Sequence, residues 1–230
     1  MKINAIVQAR MGSTRLPGKV MKLIEGKPLI GHIFDRLKKV TEIEKIYLAT
    51  TIDQRNDSLV DYARLERVEV YRHKEENDII GRLYNIISLD KTKAILKVNG
   101  DCPLIDPNII IKGIEKYKKK INADIITNKT SNTFPLGFSF EIISSKAIMW
   151  CNTNLKSTED RELAIMWILN NKKQFPRQFS ISYEQNYGRY NLCVDTEKDF
   201  KLISIIFKNL YKNNKYFGLE DVISFIRKGL

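Results

Sequence analysis

Arg10, Ser13, Thr14, Arg15 and Lys19 fall within one short stretch, and their types suit a polyphosphate. Arginine forks grip nonbridging oxygens two at a time, lysine adds a point charge, and bare backbone amides fill the remaining acceptor sites. Met11-Gly12-Ser13-Thr14 is a turn sequence that offers such amides and two hydroxyls, and Pro17-Gly18 closes it. The order is neither G-x-x-x-x-G-K-[ST] nor the dinucleotide fingerprint G-x-G-x-x-G. A solvated basic loop is the plain alternative. Two acids stand far along the chain, Asp101 in Asn99-Gly100-Asp101-Cys102-Pro103 and Asp195 in Val194-Asp195-Thr196. A carboxylate facing a polyphosphate repels it unless a cation lies between them, and magnesium, bound by one or two carboxylates plus phosphate oxygens, is the usual solution. Locally, Gly100-Asp101 reads equally as a turn, and Asp195-Thr196 as the cap of a following helix.

The elements that must position these residues alternate. Ile3 to Ala9 is a nearly continuous apolar run, as a buried parallel strand requires, and it stops at Arg10. A helix follows Pro28, with Leu29, Ile30, Ile33, Phe34, Leu37 and Val40 at helical spacing. Lys45 to Thr51 is a second strand, Asn56 to Leu65 a helix and Val68 to Tyr71 a third strand. Asn77 or Asp78 caps a helix through Ile87, and Ala94 to Val98 is a fourth strand. This alternation predicts a parallel sheet with right-handed crossovers, in which ligands bind outside the carboxyl ends of the strands. The loop after Ala9 and Asp101 then open onto one edge. Asp106-Pro107 starts the next helix, through Tyr117, and Ala123 to Ile126 is a fifth strand. Phe138 to Ile143 alternates as a strand whose Glu141 faces substrate or water. A helix is expected from Thr158 to Asn170, an edge strand from Gln178 to Tyr183, a buried strand from Tyr190 to Val194, and a final long helix through Leu210.

At 230 residues the chain suits one sizeable core, and nothing in it reads as a linker or repeat. Lys+Arg 39 against Asp+Glu 27 gives a formal charge of +12, which fits an anionic partner: nucleic acid, an anionic membrane or a phosphorylated small molecule. Lysine, isoleucine and asparagine are abundant throughout, however, and Lys118-Lys119-Lys120 ends a predicted helix, where cations complement the dipole. Charge alone is therefore weak evidence for nucleic acid. Cys102, Cys151 and Cys193 are odd in number and far apart, so neither a disulfide framework nor a zinc site is expected, and a reducing cytoplasm fits. A signal peptide and a membrane span are not expected either.

Gln8-Ala9-Arg10, Ser13-Thr14-Arg15-Leu16-Pro17-Gly18-Lys19, Asn99-Gly100-Asp101-Cys102-Pro103-Leu104-Ile105 and Val194-Asp195-Thr196 occur in this order in one family. With them the chain resembles the cytidylyltransferases that make CMP-Kdo and CMP-acylneuraminate, most closely the branch named for spore coat polysaccharide biosynthesis protein F. The resemblance runs nearly end to end, taking in Phe134-Pro135-x-Gly137 to Glu141 and Asp160-Arg161-Glu162. It implies an α/β, Rossmann-like nucleotidyltransferase fold of glycosyltransferase-A type, a three-layer sandwich around a mainly parallel sheet. It also implies a single domain over residues 1–230, carrying an acceptor-binding and dimerisation segment at about 128–190. CTP phosphates would lie on Arg10, Ser13, Arg15 and Lys19, with Ala9, Gly12, Arg82 and Asn99 near the nucleotide and Mg2+ on Asp101 and Asp195. Arg15, Lys19, Asp101 and Asp195 form the expected catalytic set, and Glu141 and Arg161 the expected acceptor contacts. Leu136 stands where this branch commonly has Asp, and Leu163-Ala164-Ile165 where it has His-Val-Thr, both in the acceptor half.

The expected reaction is transfer of CMP from CTP to an acidic sugar, with release of pyrophosphate, by a cytoplasmic homodimer. Such chemistry is mainly positioning and charge neutralisation, so the chain need supply no nucleophile of its own. One rival is a glycosyltransferase of related fold, which normally presents Asp-x-Asp where this chain has Asn99-Gly100-Asp101. A basic nucleic-acid-binding module is another, and it lacks a reading motif or aromatics interleaved with cations.

Overall fold

The computed structural model describes residues 3–229. Its elements in chain order are β1 (Ile3–Gln8), β2 (Leu23–Ile24), β3 (Lys27–Pro28), α1 (Leu29–Lys38), β4 (Ile43–Thr51), α2 (Asp57–Leu65) and β5 (Glu69–His73). Then come α3 (Ile79–Asp90), β6 (Ala94–Asn99), α4 (Pro107–Lys119), β7 (Ile125–Thr127), β8 (Glu141–Ser144) and α5 (Ser145–Asn154). The chain finishes with α6 (Thr158–Glu162), α7 (Ala164–Asn170), β9 (Gln178–Ser180), α8 (Glu197–Leu210) and α9 (Leu219–Arg227).

A seven-stranded sheet in the order β5-β4-β1-β6-β8-β7-β9 forms the middle layer. β1 pairs in parallel with β4 and β6, β4 with β5, and β7 with β9. β8 alone runs backwards, antiparallel to both β6 and β7. Strand alternation divides the core between the two faces. Ala5 and Val7 of β1 and Leu96 and Val98 of β6 pack with α1, α2, α4, α8 and α9, whereas Ile6 and Ile95 pack with α3, α5 and α7. Both faces being covered, β1 and β6 must be apolar on both sides, which is the continuous pattern seen in the sequence. The expected three-layer α/β sandwich is the observed fold.

Several local expectations are corrected. Tyr190–Val194 forms no strand: its one bridge is Leu136 to Asn191, because the facing segment holds Pro135, which has no N–H, and Gly137 at φ 100°. The helix expected over Thr158–Asn170 breaks at Leu163, whose φ −93° and ψ 19° separate α6 from α7. The strand expected at Phe138–Ile143 begins only at Glu141, with Phe138 and Phe140 buried in the loop before it. Two helices, α5 and α9, were not anticipated.

Candidate active site

β1 and β6 are neighbours, yet the chain leaves them in opposite directions across the sheet, so a crevice opens at their carboxyl ends. The loop after β1 is fixed by its backbone. Asn56 Oδ1 accepts from the Met11 N–H at 2.8 Å, and the Gly18 N–H donates to Met11 O at 3.0 Å, closing the loop on itself. Gly18 sits at φ 67°, a left-handed conformation that favours glycine. On the β6 side, Gly100 donates its N–H to Gln8 O at 2.8 Å. A Cβ there would stand 2.5 Å from that of Ala9, so only glycine lets the two strand ends approach this closely.

The charges converge on Lys19. Its ammonium donates to Asp101 Oδ2 at 3.0 Å, to Asp195 Oδ1 at 3.0 Å and to Val194 O at 2.6 Å, with the side chain 10% exposed. Burial works to lower the Lys19 pKa, but the Asp101 charge and the hydrogen bonds to both carboxylates outweigh it and raise the value. Arg15 Nη2 reaches the same Asp195 oxygen at 3.0 Å, and Arg10 pairs with Glu76. Arg82 is 6% exposed and donates through Nη2 to Glu76 O at 2.8 Å, while its Nε is buried without a partner. Burial, and then the nearby Arg10 charge, hold its pKa below the usual guanidinium range. Asp195 is not the cap of α8. Thr196 takes that place in a capping box with Asp199, which leaves the Asp195 carboxylate for the crevice.

A cavity of about 370 Å³ occupies this crevice. Of the residues singled out in the sequence, Ala9, Arg10, Ser13, Arg15, Lys19, Arg82, Asn99, Asp101 and Asp195 line it. Gly12 lies instead against the Arg55 guanidinium, 3.7 Å from where its Cβ would be. Glu141 is buried on β8 and pairs with Lys97 at 3.5 Å, and Lys97 in turn donates to Asn99 Oδ1 at 2.7 Å. Arg161 is committed to the interior: it grips Asp78 through Nε and Nη2 at 2.9 and 3.0 Å and donates to the carbonyls of Asn152 and Leu155. Neither Glu141 nor Arg161 borders the cavity, whereas Glu162 does. Sequence reasoning also missed Gln8, Glu76 and Asn77. The last two immediately precede Asp78, the cap of α3, at the carboxyl end of β5, so the same strand-end rule that found Asp101 points to them.

Two carboxylates already gathered around one cation are hard oxygen donors, and they fit a divalent ion such as Mg2+. With the sheet order, the crevice defines a nucleotidyltransferase of the Rossmann-like type. The chain belongs to the cytidylyltransferase family, whose model matches residues 4–217. It is 26% identical to spore coat polysaccharide biosynthesis protein SpsF of Bacillus subtilis, over 88% of this chain and 85% of that protein. It is 35% identical to 3-deoxy-manno-octulosonate cytidylyltransferase 2 of Hydrogenovibrio crunogenus, but over 51% of this chain and 48% of that one. The structure of a cytidylyltransferase from Leptospira borgpetersenii serovar Hardjo-bovis superposes with a TM-score of 0.93 at 28% identity, covering 99% of this chain and 94% of that one. The molecule is thus a CTP-dependent nucleotidyltransferase. Among the described residues no helix is long and apolar enough to cross a membrane.

Proposed function

We propose that the chain transfers CMP from CTP to an acidic sugar and releases pyrophosphate, in the synthesis of a surface polysaccharide or glycan. The observation that carries this reading is Lys19 bridging Asp101 and Asp195 beside Arg15, at the mouth of β1 and β6. Arg10, Ser13, Arg15 and Lys19 bind the β- and γ-phosphates, and the three cations take up charge as pyrophosphate departs. Asp101 and Asp195 would hold Mg2+, which when bound would supply polarisation of the α-phosphate and acidification of the attacking hydroxyl. Lys19 donates to both carboxylates and holds them facing the crevice. Asn99, Ala9 and Arg82 border the remainder of the nucleotide, and Glu141 orients Asn99 through Lys97 rather than touching the acceptor.

The acceptor segment is assigned to about residues 128–190, within a single domain. A second cavity of about 450 Å³ supports this, being lined by Asn128, Ser139 and the cations Lys129 and Arg189, which suit an acidic ligand. The protein would act in the cytoplasm as a homodimer, which gel filtration of the pure chain checks. Measuring pyrophosphate release across the four nucleoside triphosphates, with a panel of acidic sugars and sugar phosphates, tests the reaction. CTP-selective release with an acidic sugar is expected; release with a neutral sugar phosphate alone overturns the assigned acceptor class.

A further inference from the structure

Two cysteines flank the crevice acids, on segments that the sequence shows far apart. Cys102 follows Asp101, Cys193 lies two residues before Asp195, and their Sγ atoms stand 3.3 Å apart. The backbone already ties these segments together, since the Val194 N–H donates to Asp101 O at 3.0 Å. Closing the sulfurs to a bond of about 2 Å therefore needs only a small movement. Their exposure differs: Cys102 is 1% exposed, Cys193 is partly open to solvent, and Cys151 is buried on the opposite face of the sheet in α5.

We propose that Cys102 and Cys193 form a reversible dithiol–disulfide site, oxidised by a low-molecular-weight disulfide, that disarms the crevice. The accessible Cys193 sulfur attacks one sulfur of the reagent, forming a mixed disulfide and expelling one small thiol. Cys102 then attacks the Cys193 sulfur and expels the second. Two S–H bonds and the reagent S–S bond are exchanged for one protein S–S bond and two small S–H bonds, so two electrons pass to the reagent. In a reducing compartment such a bond is transient and of the redox-sensing kind. The Cys102 thiol donates to Asp101 Oδ1 at 3.3 Å, and oxidation removes that donor while drawing together the segments that carry Asp101 and Asp195. The bond itself is independent of the proposed reaction; the loss of turnover rests on it.

The experiment treats the pure full-length chain with oxidised glutathione, alkylates the remaining thiols under denaturing conditions and maps the peptides. A Cys102–Cys193 cross-link is expected, with only Cys151 alkylated, and dithiothreitol should restore all three thiols. CTP turnover should fall by between about 10-fold and 10²-fold, as for a reacting group misplaced by about 1 Å, and recover on reduction. Cys193→Ser should keep its starting turnover and be insensitive to the reagent. Three alkylated cysteines, a cross-link to Cys151, or glutathione left on Cys193 with no protein cross-link overturns the site. Equal inactivation of wild type and Cys193→Ser overturns the claim that the bond disarms the crevice. Because the peptide map reads the bond directly, a chain that turns over no CTP leaves that part of the test intact.

Discussion

The rim at β1 and β6 and the rim at residues 128–140 are held in place by different means. At the first, backbone closes on backbone: Gly100 against Ala9, Gly18 against Met11, with Lys19 locking two carboxylates from loops far apart in the chain. At the second, a buried side-chain amide joins the backbone bonds that Leu136 makes to Tyr190 and Leu192. Asn128 donates to Phe138 O at 2.9 Å and accepts from the Phe140 N–H at 3.1 Å, leaving Lys129, Asn132 and Leu136 around an open cavity. Of the residues that the resemblance marks as departures, Leu136 and Leu163 are each 50% exposed, whereas Ala164 and Ile165 are buried in the core.

The largest effect expected concerns the acids. Asp101→Asn and Asp195→Asn should fold normally yet lose about 10²-fold or more in turnover, since metal-borne charge stabilisation is worth several kcal/mol. A magnesium titration of both variants checks this, and near-normal turnover in either removes that residue from the mechanism. Arg15→Ala should weaken CTP binding by about 10-fold to 100-fold, the worth of one charge-assisted contact. Its side chain is 64% exposed, so the melting temperature should barely move, and calorimetry with CTP separates the two outcomes.

Lys19→Met should cost about 2 kcal/mol at neutral pH, toward the low end for a broken buried pair because both carboxylates are partly exposed. The raised Lys19 pKa fixes the sign: its contribution is complete below the unfolded value of 10.5 and is lost as pH climbs through the higher folded value. On raising the pH from neutrality, denaturant midpoints of wild type and variant should therefore converge in that alkaline range. Asn128→Ala should destabilise by about 1–2 kcal/mol while leaving CTP affinity unchanged, read by urea melts alongside calorimetry. Leu136→Ala should do least, within about 0.5 kcal/mol in stability and without effect on CTP binding. A change in CTP affinity from Leu136→Ala would erase the division between the rims.

Much of the first rim was legible because strand ends announce themselves. The apolar run of β1 stops at Arg10, β6 stops at Asn99, and the strand-end rule places the loops beyond them in one crevice without any knowledge of contacts. The reading of Asp195 as a helix cap failed locally, since Thr196 competes for that place and wins with Asp199. The hidden part depends on pairing across the chain. Nothing near Arg161 says that its fork is taken by Asp78, and nothing near Glu141 says that Lys97 lies opposite it in the sheet. The three cysteines are free, as expected, but nothing in the sequence indicates that the Cys102 and Cys193 sulfurs stand 3.3 Å apart, an approach that follows from the Val194–Asp101 hydrogen bond.

The reversed direction of β8 reaches further than the sheet. Because β7 and β8 are antiparallel, the excursion between them leaves and re-enters the sheet at the same edge where β1 and β6 end. Such an excursion can be lengthened or exchanged without rethreading a crossover, and doubling a loop costs only about 0.6 kcal/mol in closure entropy. Thr127 and Glu141 face each other as the last rung of that ladder and mark the natural joints for a graft. On the proposed acceptor assignment, a chimera taking this excursion from a relative should keep its hold on CTP and inherit the donor's taste in acceptors; an unchanged acceptor preference overturns that assignment.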